Sequence, residues 1–424
     1  MKTRFLPDSG SEGRSRPQDT RSSYPRRQKI KPSRLHNTFR KKLKEHASSH
    51  AERLVALALK LGVEPWVSEI YTANLDQERD LVRPPEAIFL LEKAIAVAWE
   101  PRLKLHWAPE VLSFQAGKSS LDGVRDLADL VKRDPGPWYV LRRDISSYTD
   151  SIPLVASSPL WVQLRATGLD PREIALLQQL LRAELKWRGE ESGAFCRVGG
   201  ISTGSALTPM ISNLYLGPVD RALLEIPGSF YRRYGDDIVF AHRDRSSAFR
   251  AREEFERALL PLRLRSKIEK SSDIIWTRRG GHVEEGGFRE SDHIDLLGWR
   301  VTHRGIRLPP GKFKTMLQRY RYRMNNVLEL HRGSCDEDRA HALIQATHAQ
   351  FARDSVGIEP HFRMMLQLGN DPGQWRELDT EIFRTLSTLL ARKPLPLAYR
   401  IFSPRRLVRE FKLRTPGHLR QIYV

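Results

Sequence analysis

The most constraining feature of this sequence is a pair of adjacent aspartates, Asp236 and Asp237, with apolar residues on both sides. Residues 230–241 predict a β-hairpin that carries both carboxylates at its turn. Unpaired carboxylates beside an apolar strand are unfavourable unless they become protonated or bind a cation. The pair therefore predicts a site for a divalent cation with oxygen ligands, such as Mg²⁺. For this motif alone, an ordinary Asp-rich turn is the alternative.

A second apolar strand that ends in an aspartate supports a metal site. Residues 138–141 (WYVL) follow a Pro-Gly-Pro break and lead into Asp144. If this strand lies beside the hairpin, Asp144 and Asp236 share two metal ions, which in such sites lie about 3.5–4 Å apart. That arrangement suits phosphoryl transfer to a 3′-hydroxyl, in which catalysis consists mainly of positioning and charge neutralisation.

Three segments resemble motifs A, B and C of reverse transcriptases, most of all the bacterial group II intron, retron and phage-defence types. They are residues 144–153 (DISSYTDSIP), 200–209 (GISTGSALTP) and 234–237 (YGDD), in the family's order. The chain also resembles the family in the fingers segment at 113–120, motif D at 264–270 and the primer grip at 296–299. The similarity extends over residues 75–310.

The resemblance implies an α+β fold of the right-hand polymerase type. We expect a basic, disordered arm at residues 1–49, fingers at 50–135 and a palm of antiparallel sheet and helices at 136–310. Residues 311–424 are expected to form a helical, thumb-like region. Its arginines and tyrosines, as in residues 318–323, suit contact with a duplex backbone.

The resemblance also implies roles for individual residues. Asp144, Asp236 and Asp237 are the expected catalytic residues, and they bind two Mg²⁺ ions together with the carbonyl of Ile145. The expected nucleotide-binding residues are Arg79, Arg83, Tyr148, Thr149, Thr203, Gly204 and Lys270. The expected template and primer contacts are Gly117, Lys118, Gly200, Pro209, Leu297, Gly298 and Trp299.

Several of these residues also have a purely structural interpretation. Arg79 and Arg83 suit a solvated salt-bridge face as well as they suit phosphate binding. Lys270 suits an exposed position on a strand, and Lys118 a solvated position beside a turn. The motif B glycines and Pro209 suit a turn and a helix start.

Thr149 departs from the family pattern. Five residues after the first motif A aspartate, the family usually has Phe or Tyr, whose flat ring blocks a ribose 2′-hydroxyl. Thr149 is smaller, and Tyr148 directly precedes it. Either Tyr148 takes the role, or local backbone shifts preserve the gate, or discrimination between deoxyribose and ribose is relaxed.

The charge of the chain favours a polyanionic partner. Lys and Arg exceed Asp and Glu by 71 to 51, which gives a net charge of +20 and favours nucleic acid, with an anionic membrane surface as the rival. No run approaches the roughly 20 apolar residues of a spanning helix, and the N-terminus lacks a secretory signal. Two cysteines indicate neither a disulfide framework nor a Cys-based zinc site, so a cytoplasmic location is expected.

The expected function is that of an RNA-directed DNA polymerase with an RNA template, a nucleic-acid primer and dNTPs as partners. A bacterial anti-phage or retron-like role is expected by analogy, with a dedicated non-coding RNA as a candidate partner. One alternative is an untemplated or protein-primed nucleotide polymerase, which the small residue Thr149 at the sugar-gate position suggests. Another is a non-catalytic RNA-binding scaffold. A palm-type nucleotide cyclase is disfavoured, because it needs neither motif B nor a basic helical region.

Hydrophobic periodicity predicts the remaining elements. Helices are predicted near residues 51–62, 86–99, 121–132, 171–187, 205–225 and 246–260, and over most of the chain from 313 on. Besides the strands already named, short strands are predicted at 262–265 and 295–301, with a polar loop at 282–293.

Overall fold

The structure is a computed structural model. It describes residues 51–74, 78–189, 193–196, 199–281, 284–351 and 360–416. The basic arm predicted for residues 1–49 lies outside the described residues. The described chain mixes sheets and helices, which confirms the α+β prediction.

The described residues contain fifteen α-helices. They are α1 (residues 51–61), α2 (Glu86–Lys104), α3 (Ser120–Arg133), α4 (Tyr148–Ser151), α5 (Pro159–Ala166), α6 (Pro171–Leu181), α7 (Thr208–Tyr215), α8 (Gly217–Leu224), α9 (Arg245–Leu262), α10 (Pro310–Leu330), α11 (Asp336–Phe351), α12 (Pro360–Leu368), α13 (Pro372–Ala391), α14 (Leu395–Ile401) and α15 (Pro404–Arg409).

The strands form three sheets. They are β1 (Val67–Asn74), β2 (Glu78–Arg83), β3 (Trp138–Arg143), β4 (Glu184–Trp187), β5 (Phe195–Cys196), β6 (Phe230–Tyr234), β7 (Asp237–His242), β8 (Ser272–Trp276), β9 (Glu284–Glu285), β10 (Phe288–Ser291), β11 (His293–Leu296), β12 (Trp299–Thr302) and β13 (Gly305–Arg307). The sheet orders are β2-β1-β4-β5, β6-β7-β3-β8-β10-β9 and β11-β12-β13.

The six-stranded sheet separates two hydrophobic cores. Leu141 of β3 and Phe240 of β7 lie in the first core, with Phe255 of α9. Their neighbours Val140 and Val239 lie in the second core, which contains side chains of α3 and of the C-terminal helices. Alternate residues of a strand face opposite sides of its sheet, so both faces of β3 and β7 are covered. The two strands that carry the candidate site are therefore anchored in both cores.

Two predicted helices were wrong in extent. The helix predicted over 171–187 ends at Leu181, and residues 184–187 form β4, which pairs in parallel with β1. The helix predicted over 205–225 is divided into α7 and α8 at Leu216. Pro218 explains the division, because proline lacks the N–H that a helix interior needs but is accommodated in the first turn of α8.

Three other predictions were wrong locally. Residues 262–265 do not form a strand, because α9 continues to Leu262 and ends at Arg263, whose φ is 57°. The strand predicted at 295–301 is a hairpin of β11 and β12 that turns at Leu297 and Gly298. The predicted loop at 282–293 contains β9 and β10.

The hairpin of β1 and β2 was not predicted. It contributes Ile70 and Val82 to a small separate apolar cluster with Leu185. The helical prediction from residue 313 on is confirmed for the described residues by α10–α15. No helix in the described ranges is both long and apolar enough to cross a membrane.

Candidate active site

The three candidate catalytic aspartates lie at the ends of two neighbouring strands. β3 pairs antiparallel with β7, and Arg143 lies opposite Ile238. Asp144 follows the end of β3, while Asp237 is the first residue of β7. The register therefore places Asp144 beside the turn that carries Asp236 and Asp237. The structure brings together the three side chains that the sequence predicted as one site.

Gly235 allows the turn to be tight. Its φ of 66° lies in the left-handed region, which glycine adopts without strain. Tyr234 pairs with Asp237 across the hairpin, so Gly235 and Asp236 alone form the loop. The short loop keeps Asp236 at the tip of the hairpin, directly beside Asp237.

The three carboxylates oppose one another electrostatically. Burial raises the pKa of the Asp236 carboxyl, and the negative charges of Asp144 and Asp237 raise it further. Burial also raises the pKa of Asp237, although Arg142 partly offsets this effect. Two carboxyls whose ionisation is opposed in this way, with Asp144 beside them, favour a cation among the three side chains.

Asp237 has an oxygen whose hydrogen-bonding capacity is unused among the described residues. Its Oδ1 is buried and accepts no hydrogen bond from them. Arg142 Nη2 lies 3.6 Å from this oxygen, an ion-pair distance that is too long for a good hydrogen bond. A buried acceptor without a donor is costly, so this oxygen gains free energy from a metal ion or a water molecule.

Lys270 also contacts the site. Its Nζ lies 3.4 Å from Asp144 Oδ2, and 46% of its side chain is exposed. It belongs to a 3-10 turn at Ile268–Lys270, not to the strand position considered from the sequence. The preceding segment is fixed to motif A, because Lys267 N donates to Asp144 O at 2.7 Å and Ser146 N donates to Arg265 O at 2.9 Å.

The carboxylates fit a divalent metal by their chemistry. They supply hard oxygen ligands, burial and neighbouring negative charge raise the pKa values of the Asp236 and Asp237 carboxyls, and no described residue donates a hydrogen bond to Asp237 Oδ1. As they are placed, the described side chains contain no group of three or more His, Cys, Asp or Glu arranged to hold a metal ion. The aspartates are therefore neighbours but not a closed set of ligands. Ile145 is buried, and its carbonyl remains a predicted ligand.

Arg233 anchors the catalytic turn, a role that the sequence analysis missed. Its fully buried guanidinium forms a two-pronged ion pair with Asp220, with Nε–Oδ1 and Nη2–Oδ2 distances of 2.6 and 2.7 Å. Nη1 donates to the carbonyl of Gly235 at 3.1 Å, and Nη2 donates to the carbonyl of Asn213 at 3.0 Å. The period-two pattern of β6 was the available signal, because it places Arg233 on the same face as the buried Tyr231.

The motif B loop lies between β2 and motif A. Val82 N donates to Thr203 O at 2.8 Å, and Ile201 N donates to Thr149 O at 2.8 Å. Gly204 has a φ of 113°, and a Cβ there would lie 2.5 Å from Val82 O. Gly200 has a φ of 90°, and a Cβ there would lie 3.0 Å from the carbonyl oxygen of Asp150. Both glycines are therefore required by the packing of the loop itself.

Pro209 lies in the first turn of α7, and its carbonyl accepts a hydrogen bond from Ser212 Oγ. Proline suits this position, because the first turn of a helix leaves its N–H groups unbonded. The structural interpretation thus accounts for Pro209, and template contact at this residue remains a prediction.

Glu92 of α2 is a second residue that the sequence analysis missed. Its buried Oε2 accepts a hydrogen bond from Ala206 N at 2.9 Å, at the end of the motif B loop. Burial raises the pKa of its carboxyl, while the Ala206 N–H and the Ser205 hydroxyl favour the charged form. Periodicity assigned this position to a helix, but nothing in the sequence linked it to a partner 114 residues away.

Tyr148 does not contact the open site in this structure. Its ring is buried and its hydroxyl donates to the carbonyl of Ser212. Burial raises the pKa of this hydroxyl well above its usual range. The structure therefore contradicts the idea that Tyr148 takes over the sugar gate, and it leaves the half-buried Thr149 at that position.

Lys118 is bound to the backbone of its own loop. Its Nζ donates to Pro109 O at 2.5 Å and to Val111 O at 3.2 Å. Gly117 has a φ of 81°, and a Cβ added there would meet open space. A loop-closing role thus describes Lys118 better than a freely solvated one, and template contact by either residue remains a prediction.

The predicted primer-grip residues form the turn between β11 and β12. Leu297 and Gly298 both have positive φ, of 51° and 80°, and a Cβ on Gly298 would collide with the Lys312 ammonium. Trp299 is buried in the second core. Trp299 therefore packs beneath the turn within the second core. Primer contact by Leu297 and Gly298 remains a prediction.

The predicted triphosphate arginines lie on β2. The backbone of Arg79 pairs with Ala73, but its side chain lies outside the described residues. Arg83 ends the strand and is exposed. Phosphate binding by either arginine remains a prediction.

Part of the chain matches the model of a known protein family. Residues 82–301 match the family model described as "Reverse transcriptase (RNA-dependent DNA polymerase)". This range is a little more than half of the 424 residues and contains all three candidate aspartates and the motif B loop. Among curated proteins, no sequence matches the chain significantly.

Solved structures of yeast telomerases resemble the chain weakly. An apo telomerase of Candida tropicalis, truncated from its C-terminal domain, is 12% identical over 58% of this chain and 56% of its own, with a TM-score of 0.43. The telomerase of Candida albicans with a TWJ fragment of telomeric RNA is 9% identical over 89% and 68%, with a TM-score of 0.44. A further apo telomerase of C. tropicalis is 11% identical over 82% and 69%, with a TM-score of 0.44. The chain thus spans little more than half the length of the first of these proteins.

Proposed function

Because the chain belongs to the reverse transcriptase (RNA-dependent DNA polymerase) family, and is thus an RNA-directed DNA polymerase, we propose that it extends the 3′-hydroxyl of a nucleic-acid primer with dNTPs at Asp144, Asp236 and Asp237. The observation that carries the proposal is the pairing of β3 with β7, which sets Asp144 beside the Asp236–Asp237 turn. The enzyme class is that of the nucleotidyltransferases, with the mixed α+β fold of this family.

Asp144 and Asp236 would hold two Mg²⁺ ions, with Asp237 and the carbonyl of Ile145 completing the site. When bound, the metal would lower the charge barrier between the 3′-oxygen and the α-phosphate and stabilise the leaving pyrophosphate. The protein's part is to fix the carboxylates. Arg233 supports this through its hydrogen bond to the Gly235 carbonyl, which holds the turn that carries Asp236.

Lys270 is positioned to act on the leaving group. Its ammonium lies beside Asp144 and is half exposed, so it can turn toward a bound triphosphate. We assign it the donation of a proton to pyrophosphate as the new phosphodiester forms. The exposed Arg83 and Arg79, which belongs to the same strand β2, would bind the triphosphate, and Thr203 and Gly204 would line the nucleotide.

The biological role is proposed on motif resemblance alone. A bacterial anti-phage or retron-like enzyme in the cytoplasm, working with a dedicated non-coding RNA, accords with the similarity of motifs A, B and C. The net charge of +20 accords with an RNA partner, because each neutralised phosphate releases counterions.

One observation favours a second candidate function. Tyr148 is buried in the core, so the small Thr149 occupies the position where a larger ring excludes ribonucleotides. A polymerase that accepts ribonucleotides, or adds nucleotides without a template, accords with that arrangement. A third possibility is an RNA-binding scaffold without catalysis.

Primer extension on an RNA template with Mg²⁺ tests the proposal. Wild type is compared with Asp236→Asn/Asp237→Asn, which keeps the side-chain shape, and with Asp129→Asn, an exposed aspartate on α3, as the matched control. We expect templated DNA from wild type and the control and none from the double variant. Each reaction is run with dNTPs and with NTPs, and the products are sequenced.

The other outcomes identify the rivals. Products that do not follow the template sequence would favour the untemplated polymerase. No product from any variant, with full affinity for the RNA, would favour the scaffold. Activity retained by the double variant would remove the assignment of the catalytic residues.

A further inference from the structure

Phe114 is an exposed aromatic residue in a strained backbone conformation. Half of its surface is accessible, at 50%, and its φ is 56°. A bulky non-glycine residue rarely adopts a positive φ, because its Cβ crowds the backbone. Because the ring is exposed, its burial contributes little hydrophobic free energy that could offset the backbone strain. The surrounding structure must therefore impose the conformation.

Hydrogen bonds on both sides of Phe114 impose it. Ser113 Oγ donates to Asn213 Oδ1 at 2.7 Å, and Asn213 Nδ2 donates back to Ser113 O at 2.8 Å. Gln115, which is buried, donates from Nε2 to Val111 O at 2.6 Å. The neighbours of Phe114 thus point into the protein, and the ring of Phe114 is left at the surface.

The same loop is joined to the catalytic hairpin. Leu112 N donates to Arg233 O at 2.8 Å, and Val111 pairs with Arg233 in parallel. The ring centroids of Phe114 and Tyr234 lie 6.3 Å apart, with an angle of 33° between the planes. Because Tyr234 pairs with Asp237 across the hairpin, the exposed ring lies beside the turn that carries the catalytic aspartates.

The loop lies in positive surroundings. Burial lowers the pKa of the Lys118 ammonium, and the positive charges of Lys104 and Arg232 lower it further, while the negative charge of Glu110 partly offsets them. Lys104 and Arg232 are therefore each near enough to Lys118 to repel its charge. A phosphodiester backbone would relieve that repulsion. Exposed aromatic rings beside positive charge are the arrangement by which proteins bind the bases of single strands.

We propose that the ring of Phe114 is a stacking platform for a nucleobase of the bound primer–template beside the catalytic turn. The inference rests on the proposed polymerase function, because that function supplies the nucleic acid. The inference adds one contact with the nucleic acid and explains the strain at Phe114. The strained loop holds the ring in position for a base before the nucleic acid binds.

The test is the affinity of the full chain for a primer on an RNA template that carries 2-aminopurine at successive positions near the primer end. Phe114→Leu keeps an apolar side chain of similar size, and Phe114→Tyr and Phe114→Trp keep a flat ring. We expect Phe114→Leu to bind about tenfold more weakly and to lose the stacking quench at one position. The two aromatic variants should keep both.

Phe114→Gly separates stacking from a structural role. Glycine adopts a φ of 56° without strain, so this variant should unfold at a temperature no lower than Phe114→Ala. It should nevertheless lose affinity and quench as Phe114→Leu does. A structural role would instead lower the unfolding temperature of every non-aromatic variant in proportion to its loss of affinity.

The outcomes distinguish the inference from the function on which it rests. If Phe114→Leu binds and quenches like wild type while wild type extends primers, the stacking platform is wrong and the polymerase assignment stands. If wild type extends no primer but its quench depends on an aromatic residue at 114, the platform stands and the polymerase assignment fails.

Discussion

At the scale of single residues, Thr149 is a position at which this chain departs from the usual pattern of reverse transcriptases, which have Phe or Tyr there. The packing of Tyr148 explains why this tyrosine cannot act as the sugar gate in place of Thr149. The Tyr148 ring lies in the first core and its hydroxyl is bound to Ser212 O. Any discrimination against a 2′-hydroxyl at this position therefore depends on the small side chain of Thr149.

The prediction for Thr149 concerns the choice of sugar. Thr149→Phe adds a ring that excludes a 2′-hydroxyl, so the ratio of dNTP to NTP incorporation should rise by about tenfold or more. Competitive primer extension with paired dNTP and NTP measures this ratio. Thr149→Val, which matches threonine in size, is the control and should leave it unchanged. An equal ratio in all three proteins would show that sugar is selected elsewhere.

The buried pair of Arg233 and Asp220 gives a second prediction at this scale. Asp220 also accepts a hydrogen bond from the Tyr231 hydroxyl at 2.5 Å, so the carboxylate is fully engaged. Removing one partner leaves a buried charge without compensation, and Arg233→Met should lower the free energy of unfolding by about 3–5 kcal/mol. Urea denaturation measures the loss.

Two comparisons test that assignment. Arg125→Met removes an arginine of the exposed pair with Asp122 and should change stability by less than about 0.5 kcal/mol. Adding Asp220→Leu to Arg233→Met should recover part of the loss, because it removes the unpaired carboxylate. No recovery in the double variant would indicate that the cost comes from packing.

At the scale of elements, the motif B loop joins two parts of the structure that were predicted separately. Its carbonyl at Thr203 binds β2, its amide at Ile201 binds α4, and its end binds Glu92 of α2. A change in any of these elements therefore reaches the same loop.

Gly204 leaves less room for a Cβ than Gly200 does in the same loop. Gly204→Ala would bring a Cβ against Val82 O at a φ that alanine rarely adopts. We expect a loss of about 1–3 kcal/mol in stability and a rise in the KM for dNTP. Thermal unfolding and steady-state primer extension measure the two effects. Gly333→Ala, at a position with open space and no positive φ, should change neither.

Glu92 makes stability depend on pH. Its folded-state pKa is raised above the usual 4.5, mainly by burial, so the buried charge costs stability above that pKa. Glu92→Gln removes the charge and keeps an acceptor for Ala206 N. It should therefore be more stable than wild type at neutral pH, and the difference should vanish as pH falls below 4.5.

Denaturation midpoints across pH test this prediction, with the exposed Glu86→Gln as the control. A Glu92→Gln protein that is less stable than wild type at every pH would show that the loop needs the charge itself.

Prediction from sequence succeeded where the signal was local. Residues 138–141 form an apolar run that leads into Asp144, and residues 230–241 carry Asp236 and Asp237 between two short apolar segments. These strands therefore followed from short-range patterns. It failed where partners lie far apart in the chain. β4 was taken for the end of a helix because its partner β1 is more than a hundred residues away, and Glu92 was missed because its partner Ala206 is 114 residues away.

At the scale of the whole molecule, charge dominates the expected behaviour toward nucleic acid. With a net charge of +20, affinity for primer–template should fall steeply with salt. Six to ten phosphate contacts would cost about 10³–10⁵ in affinity between about 50 and 200 mM salt. Fluorescence anisotropy across that range measures the slope, and the urea midpoint without nucleic acid is the control. An affinity that does not change with salt would mean that base stacking and shape, not phosphate contacts, determine binding.

The second core has a consequence for how this enzyme can be divided or recombined. Val140 and Trp276 of the sheet lie in the same core as Phe313 and Leu378 of the C-terminal helices. The hydrophobic core is therefore continuous across residue 310, where the strands end and the helices begin. A truncation there would expose the back of the strands that hold Asp144 and Asp237. A chimera that exchanges the helices would have to inherit the matching face of the sheet, so these two parts are expected to have diversified together.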